Sequence, residues 1–261
     1  MKRTPLLLLF GVSVTFFVPS LIARAPQQAT HAPSGGTQVT VISIVVPPLP
    51  NAPFTATVST EWKSTLEDGS TITVKNHRTI ARDNNGRIFQ ERRNLYPEGD
   101  PRESQIRQLE FADPSTHAIY YCWPVAQACE IHDYFARPGP PALIPAGPLD
   151  NGKRFLTRVD LGKDVVSGVE AIGTRETLTI NPGAIGNDRA ISVVKEFWYS
   201  QQLGINLIEK REDPREGAQN FVVSQITLGE PDARLFEMPA SFKIVDMRKN
   251  AGGVRQDSGS N

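Results

Sequence analysis

Phe54-Thr-Ala-Thr-Val-Ser-Thr-Glu-Trp-Lys63 is the stretch from which the fold reads. Phe54, Ala56, Val58, Thr60 and Trp62 fall on one side of an extended chain; Thr55, Thr57, Ser59, Glu61 and Lys63 fall on the other. Side chains of a strand point alternately to opposite faces, so a period of two marks a half-buried β-strand. Glu67-Asp68-Gly69 ends it with turn chemistry, because glycine accepts φ > 0. Ile72 and Val74 then alternate with Thr71, Thr73 and Lys75 in a second strand, and Asp83-Asn-Asn-Gly86 makes the next turn. Arg87–Leu95 is a third strand, polar enough for a sheet edge.

The same style continues in both directions. Gln105–Phe111, Ala118–Cys122 and Cys129–Phe135 read as strands, then Phe155–Leu161, Gly168–Ile180, Ala190–Ser200, Ile205–Asp213, Ala218–Leu228 and Ser241–Met247. Arg137–Pro148 is too rich in proline for a helix or a central strand and reads as a long crossing loop, or as the seam between two halves of one sheet. Pro231–Phe236 supports one helical turn. With no amphipathic helix of three turns, the fold class is all-β: an antiparallel meander of about ten to twelve strands forming a curved sheet or unclosed half-barrel. Residues 54–247 are expected to make a single β domain, followed by a disordered tail at 248–261.

Upstream, Lys2 and Arg3 precede the apolar run Leu6–Val18, the pattern of a secretory signal peptide over residues 1–25. Ala23-Arg24-Ala25 offers a small-x-small cleavage pattern, although Pro26 follows it; cleavage after Ser20, or retention as an anchor, are the alternatives. No cysteine stands near the cleavage region, which excludes a lipoprotein anchor. Residues 26–53 read as a flexible, proline-rich leader, with a short strand at Gln38–Val46 before Pro47-Pro-Leu-Pro. Periplasmic or secreted location follows, and membrane contact only through an uncleaved signal.

The chain carries 28 basic and 28 acidic residues. Loss of residues 1–25 removes Lys2, Arg3 and Arg24 and no acid, leaving 25 against 28. A mildly acidic, mixed surface has no electrostatic footprint for nucleic acid. Three Trp and twelve Phe support a real core.

Cys122 and Cys129 stand alone and flank a turn containing Pro124. In an oxidising compartment they are expected as a structural disulfide. A zinc set of His117, Cys122, Cys129 and His132 is the competing reading, open only if the thiols stay reduced. No Gly-x-Ser-x-Gly, His-Glu-x-x-His or phosphate-cradling glycine loop occurs. An enzyme would need a cleft gathering His117, His132 and Asp133, yet His132 and Asp133 are adjacent and point to opposite faces of a strand. The expectation is therefore no catalysis and no cofactor. Dispersed aromatics either fill a sheet core or line an apolar cavity; Trp62, Phe89, Phe197, Trp198 and Tyr199 are the candidate lining residues.

Gly168–Thr177, Ile185-Gly-Asn187, Glu196–Ser200, Asp213–Gly217, Leu235–Pro239 and Asp113-Pro … Cys122 … Cys129 together resemble a group of secreted bacterial proteins of acidobacterial type, over roughly residues 54–247. The hairpin Phe197–Lys210 is similar to the curving part of the sheet in periplasmic lipoprotein carriers of the LolA/LppX type. That resemblance implies an unclosed barrel sheltering acyl chains, here without the lid helices of those carriers. The implied role is a non-catalytic binding protein for a lipid or lipoprotein acyl chain; the alternative is an envelope protein that engages a partner through a sheet face or edge.

Overall fold

A computed structural model describes residues 43–102, 104–135 and 143–248. The expected signal peptide, the leader up to residue 42 and the tail from 249 lie outside the described residues. Among the described residues no helix is long and apolar enough to cross a membrane.

Among the described residues, fourteen strands form one antiparallel sheet, except for its last pairing. The first meander comprises β1 (Phe54–Thr65), β2 (Thr71–Arg82), β3 (Ile88–Arg93), β4 (Tyr96–Pro97), β5 (Ile106–Asp113), β6 (Ala118–Trp123) and β7 (Ala128–Asp133). The second comprises β8 (Gly147–Leu149), β9 (Arg154–Val166), β10 (Val169–Ile180), β11 (Ile191–Ser200), β12 (Ile205–Asp213) and β13 (Gly217–Leu228). The last strand, β14 (Lys243–Asp246), follows a crossing of the chain. β1 pairs β13, so the two meanders join at the centre, and the order runs β14-β7-β6-β5-β3-β2-β1-β13-β12-β11-β10-β9-β8, with β4 beside β2. The two ends of the sheet are different strands that do not pair, which leaves the barrel unclosed. The all-β meander read from the alternation is thus the observed architecture, and the helical turn near residue 233 is present as Ala233–Phe236.

Three expectations need correction. β3 is not an edge: it sits between β2 and β5, and its polar side chains are paired, Arg92 with Glu110 (2.7 Å) and Arg93 with Glu91 (2.9 Å). Part of the proline-rich crossing segment contributes a short strand, β8. Residues 43–46 are neither strand nor flexible leader; Ile44 and Val46 are 1% and 4% exposed in the main apolar cluster.

That cluster lies on the face of Phe54, Ala56 and Val58, with Ile80, Leu207, Phe221 and Val223. The segment around residues 43–53 is held over it by two buried arginines of β2. Arg82 is 0% exposed and donates to the carbonyls of Ala52 (2.7 and 3.0 Å), Pro47 (2.9 Å) and Leu203 (2.8 Å), with its guanidinium 5.1 Å from the Phe54 ring centroid. Arg78 donates to the Ser43 hydroxyl (2.7 Å), the Ile44 carbonyl (3.2 Å) and the Gln90 side chain (3.1 Å). Burial pulls both guanidinium groups down, to about 9 for Arg78 and about 10 for Arg82, and both stay charged at neutral pH.

The opposite face has its own apolar cluster of Ala81, Phe89, Phe111, Cys122 and Cys129. Leu235, Phe236, Met238 and Phe242 cover it as the chain leaves β13 and crosses to the far edge. There β14 pairs with β7 in parallel, and Ile244 sits opposite Cys129. Cys122 and Cys129 are direct cross-strand partners 4.0 Å apart at Cα, fully buried and bonded to each other. The expected disulfide is present, and it removes both sulfurs from the competing zinc set.

Arg82→Met leaves the carbonyls of Ala52 and Leu203 without their donor, the Pro47 carbonyl keeping the Leu49 N–H, and should lower unfolding stability by about 3 kcal/mol in denaturant titration, since each buried orphan acceptor costs ~1–3 kcal/mol; a loss under ~1 kcal/mol would show that the arginine is not the tether. Replacing both cysteines by alanine should cost about 2–3 kcal/mol from the short closed loop, read as a lower urea midpoint that reductant does not lower further.

Candidate functional site

Directly opposed residues of neighbouring antiparallel strands share a face, so the registers line up the core face in rows. One row is Asn76, Thr60, Phe221, Glu209 and Phe197, across β2, β1, β13, β12 and β11. The next, two residues along each strand, is Val74, Trp62, Gln219, Arg211 and Lys195. Among the described residues, the hydrogen bonds of Ser43 and Ile44 reach the Arg78 row, which precedes both. These two rows therefore continue the core face beyond that point, part aromatic and part polar, with Phe221 shared with the main apolar cluster.

The turn Asp213-Pro-Arg-Glu-Gly217 builds one wall of it. Buried Asp213 accepts from the Arg215 backbone N–H (3.0 Å) and guanidinium (2.7 and 2.9 Å), and from Arg211 (3.0 Å). Arg215 chiefly holds the Asp213 carboxyl below the usual carboxylate range. Arg211 also donates to Glu216 (2.5 Å), and the Trp62 indole N–H donates to the Glu216 carbonyl (2.8 Å). Gly217 has φ +89°, and a Cβ there would run into the Lys63 carbonyl oxygen. Only glycine lets β13 leave the turn this close to β1.

The polar atoms of this zone are incompletely paired. The Asn76 amide N–H donates to the Arg93 carbonyl (2.8 Å), spanning the place where β3 diverges from β2, but its Oδ1 accepts from no group. Gln219 is 1% exposed, and neither Oε1 nor Nε2 has a partner. Arg211 Nε is buried and unpaired as well. Glu209 accepts from the Asn206 amide (3.3 Å), and burial raises its pKa.

The five aromatic candidates do not form one lining. Trp62 and Phe197 stand on the core face, one in each row. Trp198 alternates away from Phe197 along β11, yet it packs against the main apolar cluster. Its ring lies over Gly173 of β10, where a Cβ would come within 2.9 Å of it, and its N–H donates to Glu196 (3.1 Å). Tyr199 follows a register shift in β11, with its hydroxyl beside the Gly204 turn. Phe89 is on the opposite side of the sheet, 5.4 Å from Phe111 between ring centroids, beneath the C-terminal cover. Phe221, Gln219, Arg211, Glu209 and Asn76 do not stand out as site residues from sequence. The available signal is a Gln at the first of three alternating positions, Gln219, Phe221 and Val223, that are otherwise apolar.

An open groove of about 720 Å³ touches the first row at Thr60 and Asn76 and otherwise lies between Tyr96–Asp100 and Glu61, Lys75, Lys210 and Asn220. Its charges are compensated: Lys75 pairs with Glu98 (2.5 Å) and Glu61 (3.5 Å), and Arg102 with Asp100 (2.6 Å). His117 lies at the tip of the β5–β6 hairpin, and His132 on β7 contacts Glu130 (2.9 Å). Among the described residues no three His, Cys, Asp or Glu side chains are grouped to hold a metal ion.

No protein-family model and no curated protein matches the chain. Solved structures do. An uncharacterized conserved protein from Thermus thermophilus aligns at 9% identity over 75% of this chain and 91% of its own, with a TM-score of 0.37. The MucA/MucB complex of Pseudomonas aeruginosa aligns at 16% identity over 74% of this chain and 58% of that one, with a TM-score of 0.34. A LolA superfamily protein from Nitrosomonas europaea aligns at 10% identity over 73% and 92%, with a TM-score of 0.28. These are faint likenesses of fold, and nothing those proteins bind is carried from them.

Proposed function

We propose that this is an exported, non-catalytic binding protein that takes a hydrophobic ligand, a lipid or lipoprotein acyl chain, on the core face of its unclosed sheet. One observation carries the reading. Trp62, Phe221 and Phe197 occupy two adjacent rows, beyond the hydrogen bonds that fasten the 43–53 segment. An apolar chain laid along these rows continues the surface that Ile44 and Val46 cover at the other end. The buried disulfide fits an oxidising compartment outside the cytoplasm.

A second reading rests on the sheet edge. β8 pairs only with the Arg154–Leu156 end of β9, so β9 runs on as an edge among the described residues, with Val159 and Val165 54% and 65% exposed. An extended segment of an envelope partner could add there as a strand. Cross-linking from a photoreactive residue at Val159 would yield partner adducts on that reading and none on the lipid reading.

Native mass spectrometry of the exported protein, purified without detergent, should show a bound mass of several hundred daltons that leaves on activation. Trp62→Ala and Phe197→Ala should each weaken uptake of a fluorescent fatty-acid probe by about tenfold, the scale of ~1.4 kcal/mol from one lost aromatic contact. Absence of saturable uptake by the delipidated protein would end the proposal.

Glu209 adds a pH signature. Its folded pKa lies above its ordinary value, so the folded state holds that proton more tightly than the unfolded chain. The resulting stability is complete below the ordinary carboxyl pKa and is lost as pH rises through the raised one. Glu209→Gln should therefore be more stable than the parent at pH 7 and no more stable at pH 4, by thermal unfolding at both values.

A further inference from the structure

Every buried side-chain N or O atom without a partner among the described residues belongs to Gln219, Arg211 or Asn76. All three sit in the two rows described above, and Gln219 and Arg211 are directly opposed on β13 and β12. Buried polar groups are nearly always hydrogen-bonded, and an orphan is costly. Four such atoms in one zone, and none elsewhere among the described residues, mark a place where something outside the chain supplies the missing bonds.

Their chemistry specifies it. Arg211 Nε and Gln219 Nε2 donate; Gln219 Oε1 and Asn76 Oδ1 accept. The Gln219–Arg211 pair therefore offers two donors and one acceptor, to a group that carries an acceptor and a donor on neighbouring atoms. A secondary amide does this: in its trans form the carbonyl and the N–H point in opposite directions, so the carbonyl takes a donor from Arg211 Nε while the N–H gives to Gln219 Oε1 on the opposing strand. An ester has the carbonyl but no N–H and leaves Oε1 orphaned. The aromatic neighbours Trp62, Phe221 and Phe197 suit a hydrocarbon chain attached to that group.

We infer that the site selects N-acyl over O-acyl chains, with Gln219 and Arg211 reading the amide linkage. This deepens the acyl-binding reading and rests on it.

N-ethylhexadecanamide and ethyl hexadecanoate differ only by N–H for oxygen, so they isolate the linkage. Each is titrated against the delipidated, exported protein, by displacement of a fluorescent fatty-acid probe and by native mass spectrometry. The amide should compete about tenfold better, the equivalent of one matched hydrogen bond. Gln219→Leu should erase that preference, so that the amide and the ester compete equally. Equal competition by both compounds in the parent protein overturns the inference while the acyl-binding reading stands, whether or not the variant folds. A preference that persists in folded Gln219→Leu overturns the role of Gln219. Failure of both compounds and the probe to bind overturns the acyl-binding reading itself, and this inference with it.

Discussion

The fold depends on a buried cation that, among the described residues, meets no carboxylate. Arg82 lies wholly inside the protein and directs its guanidinium at three carbonyls, from Pro47, Ala52 and Leu203. A guanidinium cannot shed its charge, so its desolvation must be met by fixed dipoles. The chain meets it by bringing an irregular, proline-rich segment and the β11–β12 turn to the same side chain. Proline has no N–H to give, but its carbonyl remains available, so a segment unable to join a sheet can still be anchored through its acceptors. Phe54, in register with Arg82, supplies a ring face to the same cation.

Once that anchor is set, the two faces of the sheet have different fates. One carries the main apolar cluster and, further along, the zone where aromatic side chains meet unpaired polar atoms. The other is closed by the chain's own C-terminal stretch, which packs Leu235, Phe236, Met238 and Phe242 over the disulfide and ends as a parallel strand. The division explains why the aromatics do not converge. Strand alternation sends Phe89 and Phe197 to opposite sides, and among the described residues only one of those sides retains unsatisfied chemistry.

Much of the sheet could be read from the chain. The alternation Phe54-x-Ala56-x-Val58-x-Thr60-x-Trp62 is the core face of β1 as observed, and Asp83–Gly86 and Asp213–Gly217 are turns as their residues demand. What could not be read depends on pairings distant in sequence. The polarity of Arg87–Leu95 suggests an edge, but its charges are answered by Glu110 on β5 and by Glu91. The Pro47–Pro53 run suggests freedom, but Arg78 and Arg82 lie about thirty residues downstream. For the site, Trp62 and Phe197 are visible as aromatics. Gln219 is visible only as a polar residue in an apolar alternation, and its lack of partners emerges once its neighbours are placed.

The join between β1 and β13 sets Phe54 against Leu228, across most of the folded chain. Every other pairing at the centre of either meander is a local hairpin. Loop-closure entropy makes that one seam the slowest contact to form. The protein is thus two locally wound ribbons stitched along their first and last edges, and the rows of Trp62–Gln219 and Thr60–Phe221 run across the stitch. Neither ribbon alone has the zone of aromatic and unpaired polar side chains. It comes into being only when the second ribbon closes on the first.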